Sequence, residues 1–405
     1  SWLAEVTYAL LDQAFGPVGI RVLRATISAL IAYLVYRLAA RITGSSTRAA
    51  LLTLAALAVS FTLWSERPLL FGVLAMVVLV WTVEVPDSLA GRHPLIVLPP
   101  LLWIWANVHG SFALGFAYLG LHLAGRFLDG ARPWQGRERV LLTGGAVGLA
   151  VCCLNPLGLT LLTFPLHLLS RGDTLAHILE WRSPDFHKMI GMFYALWIAI
   201  FFVAIARNSP RVSRRDLLVS VPFLLLGLWA LRNLALAPLV GLPIVARALA
   251  ADRPRVDSRL PLNIVVAALL VMLGGSAAVQ ATGDDDFDLR RYPVEAMEAV
   301  EERGLLGQDL FTSDAWAAYL IHEYWPDQHV FIDDRYDMYP VELSAEYFRV
   351  SGAEEGWDEI LDRRGIDVVV FRVDKPLAQV LDAHPGWVPV HRDKLAAVWS
   401  RKGAS

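Results

Sequence analysis

The chain has 405 residues, 56% of them hydrophobic and 19% charged, with a formal net charge of −3. Soluble domains carry about 25% charged residues, so an ordinary soluble enzyme is excluded as a description of the whole chain. Charge is also divided along it: residues 1–283 hold 23 Arg and Lys against 13 Asp and Glu, residues 284–405 hold 13 against 26, and no basic stripe for nucleic acid is present.

The opening stretch SWLAEVTYALLDQAFGPVG reads as amphipathic. Ten apolar runs follow, at 20–36, 49–64, 69–83, 94–107, 111–126, 139–154, 189–206, 217–230, 235–249 and 261–280. A membrane span needs about 20 apolar residues, fewer within a polytopic bundle. The expected fold is therefore mainly α. A polytopic transmembrane helix bundle of about ten spans occupies residues 1–283, and a C-terminal extracytoplasmic α/β domain occupies residues 284–405. Cys152 and Cys153 are adjacent in an apolar run, the pattern of small buried residues rather than of a disulfide framework or a zinc site.

Lys and Arg favour cytoplasmic loops. With residue 1 outside, the inner loops 37–48, 84–93, 126–139, 207–216 and 247–260 hold 16 Arg. The outer segments and the outer rim of the first span hold 7 Arg and Lys. The same path puts residues 284–405 outside. An outside start without initiator Met, signal peptide or basic n-region leads to the expectation of at least one more span upstream.

Polar residues that are costly near hydrocarbon fall on the outer side of this path. SERP carries Glu66 and Arg67; WIWANVHGSF carries Asn107 and His109; ILEWRSPDFHK carries Glu180 and Arg182; LRNL carries Arg232 and Asn233. Asn155 in NPLG is turn chemistry. Polar loops and satisfied histidines are the plain reading of several of these. Arg67 and Arg232, however, lie in very short outer loops against the charge trend, and an arginine there needs an anionic partner. Guanidinium groups suit phosphate through paired hydrogen bonds. Glu66, Arg67, Asn107, Arg182, Arg232 and Asn233 are thus candidate substrate-binding residues around an outward-facing polar cavity. Within the connection 155–188, LTLLTFPLHLLS is amphipathic and suited to the membrane interface, with Trp181 as an anchor.

In residues 284–405, DLFTS, HVFIDD, IDVVVF, WVPVHRD and LAAVWSR read as strand-like, alternating with helix-like DAWAAYLIHEYW, GWDEILDRRG and PLAQVLDAH. This alternation indicates a small α/β sandwich, with Asp314 as an expected helix N-cap. FIDDRYDMY places Asp333, Asp334 and Asp337 directly after a strand-like run. Carboxylates there are candidate ligands for a divalent metal ion, the one cofactor the pattern leaves open. The adjacent Arg335 and the lack of a further ligand at a recognisable spacing favour a structural or substrate-contact role, and no obligatory metal site is expected.

The order of ERPLLF, LWIWANVHGSFALG, NPLG, EWRSPDF and FIDDRYDMY resembles a group of bacterial polytopic membrane proteins of the GT-C glycosyltransferase type. More distantly it is similar to protein O-mannosyltransferases and the aminoarabinose transferases of lipid A. The resemblance covers most of the chain. It implies residence in the bacterial inner membrane, a polyprenyl-phosphate sugar donor, and transfer on the outer side. The catalytic carboxylate of that type sits in the first outer loop, after the first span. No residue here matches it, so the general base is expected upstream of residue 1, with Glu180 and His109 as candidate contributors on the acceptor side.

The expected function is a membrane glycosyltransferase. The rival is a non-enzymatic polytopic scaffold or accessory subunit whose outer domain binds membrane-protein partners. A transporter is a third class, against which the spans show none of the internal charged pairs expected of ion coupling.

Overall fold

A computed structural model describes residues 1–207, 212–250 and 288–403. The chain divides into two compact units, Ser1–His167 with Ile178–Asp286, and Leu168–His177 with Phe287–Ser405.

The described part of the first unit is helical. Its helices are α1 (Trp2–Thr43), α2 (Ser46–Ser60), α3 (Leu69–Glu84), the one-turn α4 (Leu89–Arg92), α5 (Pro94–Val108), α6 (Phe112–Leu128), α7 (Gly136–Val151) and α8 (Thr160–Leu169, whose end enters the second unit). After α9 (Gly172–His177), which belongs to the second unit, come α10 (Met189–Arg207), α11 (Arg214–Trp229) and α12 (Ala237–Ala248).

Local chemistry sets the ends of these helices. Gly44, with φ 63°, closes α1 in the left-handed conformation that suits glycine. Pro94 starts α5 where its missing N–H costs nothing. Ser213 and Asp216 form a reciprocal capping box at the start of α11. The opening stretch is not separate from the first span: helix runs from Trp2 to Thr43, broken at Gly16 (φ 59°), which precedes Pro17.

The expectation of ten clear spans is corrected. Among the described residues, three helices are long and apolar enough to cross a membrane: Trp2–Thr43, Ser46–Leu63 and Met189–Arg207. Helices such as Leu69–Glu84, Pro94–Val108, Phe112–Leu128 and Ala237–Ala248 are apolar but shorter. Prolines and charged residues at their ends limit them. The tenth expected span, 261–280, lies outside the described residues.

Helices approach closely where glycine removes a side chain. A Cβ on Gly125 of α6 would strike the Arg215 backbone of α11, and one on Gly144 of α7 would lie 3.0 Å from Leu98 Cδ1 of α5. Small residues allow such approaches between membrane helices. Large apolar side chains face outward, with Leu51, Leu54 and Phe202 exposed by 64%, 65% and 60%. Water is a poor solvent for such a surface and a bilayer a good one.

Contacts between loops fall into two sets. At one end, Arg41 pairs with Asp87, Arg48 donates to the Leu249 carbonyl, Arg137 donates to the carbonyls of Thr82 and Gly91, and Arg214 N–H donates to Asp129. At the other, Arg24 pairs with Glu66, Arg67 with Glu180, and Trp2 with Asn107. These are the loops that the charge count assigns to the inner and outer sides respectively.

The second unit contains α9, α13 (Val294–Glu302), β1 (Leu310–Thr312), α14 (Asp314–Tyr324), α15 (Val341–Ser351), α16 (Trp357–Arg363), β2 (Val368–Arg372), α17 (Pro376–Ala383), β3 (Trp387–Arg392) and β4 (Ala396–Arg401). The sheet order is β1-β2-β4-β3, with β1 parallel to β2 and the other pairs antiparallel. Val368–Phe371 are all buried, as a central strand requires. HVFIDD forms no strand. Phe331 instead packs its ring 5.2 Å from Phe311 of β1, and FIDDRYDMY is a loop carrying one short 3-10 turn. Asp314 is the first residue of α14 rather than its cap; Ser313 holds the N-cap position.

Candidate functional site

The sequence-selected outer residues gather at one end of the first unit. The 3-10 turn Leu179–Trp181 brings Glu180 to Arg67, and the 3-10 turn Leu231–Ala235 brings Arg232 over the Trp181 ring, 4.6 Å from its centroid. The two turns are joined because the Leu231 N–H donates to the Arg182 carbonyl at 2.9 Å. The Arg182 side chain is exposed beside them. Arg67, Glu180, Trp181 and Arg232 thus form one continuous group drawn from three loops.

His109 belongs with them. It follows α5, and its Nδ1 accepts from the Ser111 N–H at 3.1 Å and lies 2.8 Å from Ser111 Oγ, which itself accepts from Trp105 Nε1 at 3.0 Å. Gly72 of α3 makes room for this arrangement, since a Cβ there would lie 2.5 Å from Ser111 Oγ. Burial and the charge of Arg232 push the imidazole down to about 3. His109 is therefore neutral near pH 7, and with Nδ1 accepting, its proton is assigned to Nε2. Such a ring offers an N–H donor and is a weak base.

Other candidates are committed to structure. Asn107 is buried, accepts from Trp2 Nε1 at 2.6 Å and donates to the Trp103 carbonyl at 2.8 Å, so both arms of its amide are used. Asn233 donates to the Leu226 carbonyl near the end of α11, an oxygen that also accepts the Ala230 N–H. Glu66 pairs with Arg24 at 2.5 Å. Asn155 spends its side chain inside its own turn, bonding the Cys152 carbonyl and the Leu157 N–H. The anion beside Arg67 is a carboxylate of the same chain. With side-chain exposures of 57% and 37%, water screens the pair and an incoming anion has access to it.

A second group, at the opposite end, was not foreseen. Glu84 ends α3, Arg215 and Asp216 open α11, and Arg247 lies near the end of α12. Glu84 accepts from Arg215, from Arg247 at 2.5 Å and from the Tyr118 hydroxyl at 3.0 Å. Asp216 accepts from Arg215 at 3.0 Å and from Arg247. Arg215 Nε also donates to His122 Nδ1 at 2.9 Å. Glu84, Arg215 and Asp216 are buried. Of the four charged residues, all but Arg247 fall outside the apolar runs read from the sequence, so the group joins the ends of helices rather than the middle of spans. Sequence separations of 31 to 163 residues hid the pairing. The available signal was Arg247 inside an apolar run, with Glu84 directly after another.

In the second unit, Asp333 is buried and receives the Arg335 N–H, Nε and Nη2 at 2.9, 2.9 and 2.5 Å. Burial opposes its ionisation, but these bonds prevail and hold the carboxyl below the usual range. Asp334 is exposed, and the side chain of Asp337 lies outside the described part. A metal would have to displace the guanidinium from Asp333. Glu295, His391 and Asp393 also approach one another, but the Asp393 carboxylate already accepts the N–H groups of Leu395 and Ala396.

Comparison with protein-family models and with curated proteins finds no match for the chain.

Proposed function

We propose that the chain is a polytopic membrane glycosyltransferase of the GT-C type, moving a sugar from a polyprenyl-phosphate donor to an acceptor on the outer side of a bacterial inner membrane. The observation that carries the reading is the group Arg67–Glu180–Trp181–Arg232 with neutral His109. It offers two cations to a phosphate, an aromatic face to a sugar or prenyl chain, and an Nε2–H donor to an acceptor or leaving oxygen. The shorter apolar helices are compatible with a polytopic path, and each of the two sets of loop contacts stays on one side of the path read from the charge count.

The donor phosphate enters beside Arg67 and Arg232 and loosens Arg67 from Glu180. The freed carboxylate then faces the acceptor, and the acceptor oxygen forms its bond to the anomeric carbon as the bond to lipid phosphate breaks. The freed Glu180 carboxylate takes the acceptor proton as general base. No metal ion is required by this scheme. The paired inner group carries no net charge and has every member bonded, which favours a fixed clamp over ion coupling.

Two experiments test the reading. In a variant with Cys152 and Cys153 replaced by alanine, a cysteine at Glu355 should react with an impermeant reagent applied outside, and one at Gln135 should not; the reverse pattern would sink the proposal. In the full chain in detergent, Arg232→Ala should weaken binding of a polyprenyl-phosphate sugar by about 1.5–3 kcal/mol, the scale of a hydrogen bond to a charged group, with partial rescue by lysine. Unchanged donor affinity in both Arg232→Ala and Arg67→Ala would favour the non-enzymatic scaffold. One observation already speaks for that second reading: Asn107, Asn233 and Arg67 have partners within the chain.

A further inference from the structure

We infer that a groove along α10 is a seat for one acyl chain of an anionic phospholipid, whose phosphate lies beside Arg207 and Arg48. Leu196, Ala199, Ile200 and Val203 line the groove on α10, and Arg207 and Leu249 stand at one end of it. It encloses about 310 Å³. The share of one water molecule in the liquid is about 30 Å³, so roughly ten groups of that size, such as methylenes, fit within it. Its apolar walls favour hydrocarbon over water. α10 is one of the helices long and apolar enough to cross a membrane. Leu196 and Val203 are exposed by 57% and 55%, so in a bilayer lipid chains are the material beside them.

Length and charge select the occupant. From Leu196 to Arg207, at about 1.5 Å of rise per residue, the lining stripe is about 16 Å long. One leaflet's half of a hydrocarbon core about 30 Å thick is about 15 Å. A chain lying in the groove therefore brings its headgroup to Arg207. Arg207 ends α10, Arg48 lies in the first turn of α2 and Leu249 follows α12, and α10 packs against both α2 and α12. Arg48 Nη1 donates to the Leu249 carbonyl at 2.6 Å, which brings a second guanidinium to the rim. Both arginines are exposed. Among the described residues neither has a carboxylate partner, and a carbonyl does not neutralise Arg48. Two cations at the end of an apolar groove suit a lipid phosphate, whereas the ammonium of a zwitterionic headgroup is repelled. This end of the first unit is opposite the one that holds Arg67 and Glu180. On the path read from the charge count it is cytoplasmic, the side where basic pockets between spans take anionic headgroups.

The inference rests on residence in a bilayer and not on sugar transfer. It is tested on the full chain with Cys152 and Cys153 replaced by alanine, reconstituted in phosphatidylcholine vesicles with increasing fractions of phosphatidylglycerol. A fluorescent label is attached through Phe202→Cys, beside the lining Val203, or through Val147→Cys on α7, an exposed apolar position elsewhere. Bromine on the acyl chains of one lipid at a time quenches the label. At position 202 phosphatidylglycerol should be preferred over phosphatidylcholine by at least about tenfold, and at position 147 neither should be preferred. Arg207→Ala and Arg48→Ala should each lower the preference about fivefold, and lysine at either position should keep most of it. Equal preference at 202 and 147 would overturn the seat, leaving a general attraction of anionic lipid to a basic face. A label at 202 that neither lipid quenches, with 147 quenched, would overturn it too, since protein of this chain or of a second copy would then cover the groove. Unchanged preference in the double variant Arg48→Ala/Arg207→Ala would overturn the role of the arginines. Each of these results leaves the proposed function standing, whereas absence of quenching at both positions would overturn membrane residence and both readings with it.

Discussion

Replacing Glu84 with alanine is expected to destabilise the first unit by about 3–5 kcal/mol, the range for removing one partner of a buried ion pair. Glu84 is the acceptor shared by Arg215, Arg247 and Tyr118. Without it two guanidinium groups face Asp216 alone, leaving one buried positive charge without compensation. The measurement is denaturant unfolding in detergent of wild type, Glu84→Ala, Arg247→Ala and the double variant. Restoring neutrality in the double variant should make its loss smaller than the sum of the single losses, a coupling that contact pairs show. Additive losses would mean that the four residues do not act as a network. A loss below about 1 kcal/mol for Glu84→Ala would place the group with solvent-screened surface pairs.

Phe311→Ala should cost the second unit a similar amount, about 3–5 kcal/mol, the range for truncating a buried aromatic residue. Phe311 is fully buried on β1, and its ring meets those of Phe331, Tyr347 and Phe371 at 5.2, 5.6 and 5.9 Å. It thereby ties the irregular loop and α15 to the sheet. Residues 284–405 expressed alone should melt cooperatively, and the variant should melt at a clearly lower temperature. A disordered spectrum of the wild-type fragment would show that this core needs residues 168–177 or the first unit to form. Equal melting of variant and wild type would show that the three ring contacts contribute little.

Elements whose signal is local were legible in the sequence. IDVVVF, WVPVHRD and LAAVWSR became β2, β3 and β4, and PLAQVLDAH became α17, because β-branched runs and amphipathic turns report their own backbone state. HVFIDD carries the same signal but lies outside the sheet, since Phe331 is better buried against Phe311 than paired in a ladder. Asp314 was expected at a cap because its position looks like one; its two tyrosine partners, Tyr336 and Tyr347, come from 22 and 33 residues away. The group of Arg67, Glu180, Trp181 and Arg232 was partly legible, because Arg67 and Arg232 break a charge trend visible in composition. That Arg67 meets Glu180, 113 residues on, follows only once the helices have packed.

Arg171 reaches Tyr339 across 168 residues of sequence, and that interval orders events during synthesis. The connection leaves the ribosome well before its seat exists. Doubling a loop adds only about 0.6 kcal/mol to closure, so the late pairing is thermodynamically tolerable; what it imposes is a delay. Until residue 339 and α15 have emerged, Thr174 and Leu175 have no seat to bury them. A chain stopped short of that point would keep Leu175 accessible to proteases, whereas one that includes it would conceal it. The burial of Leu175 thus waits on chain that is made long after it.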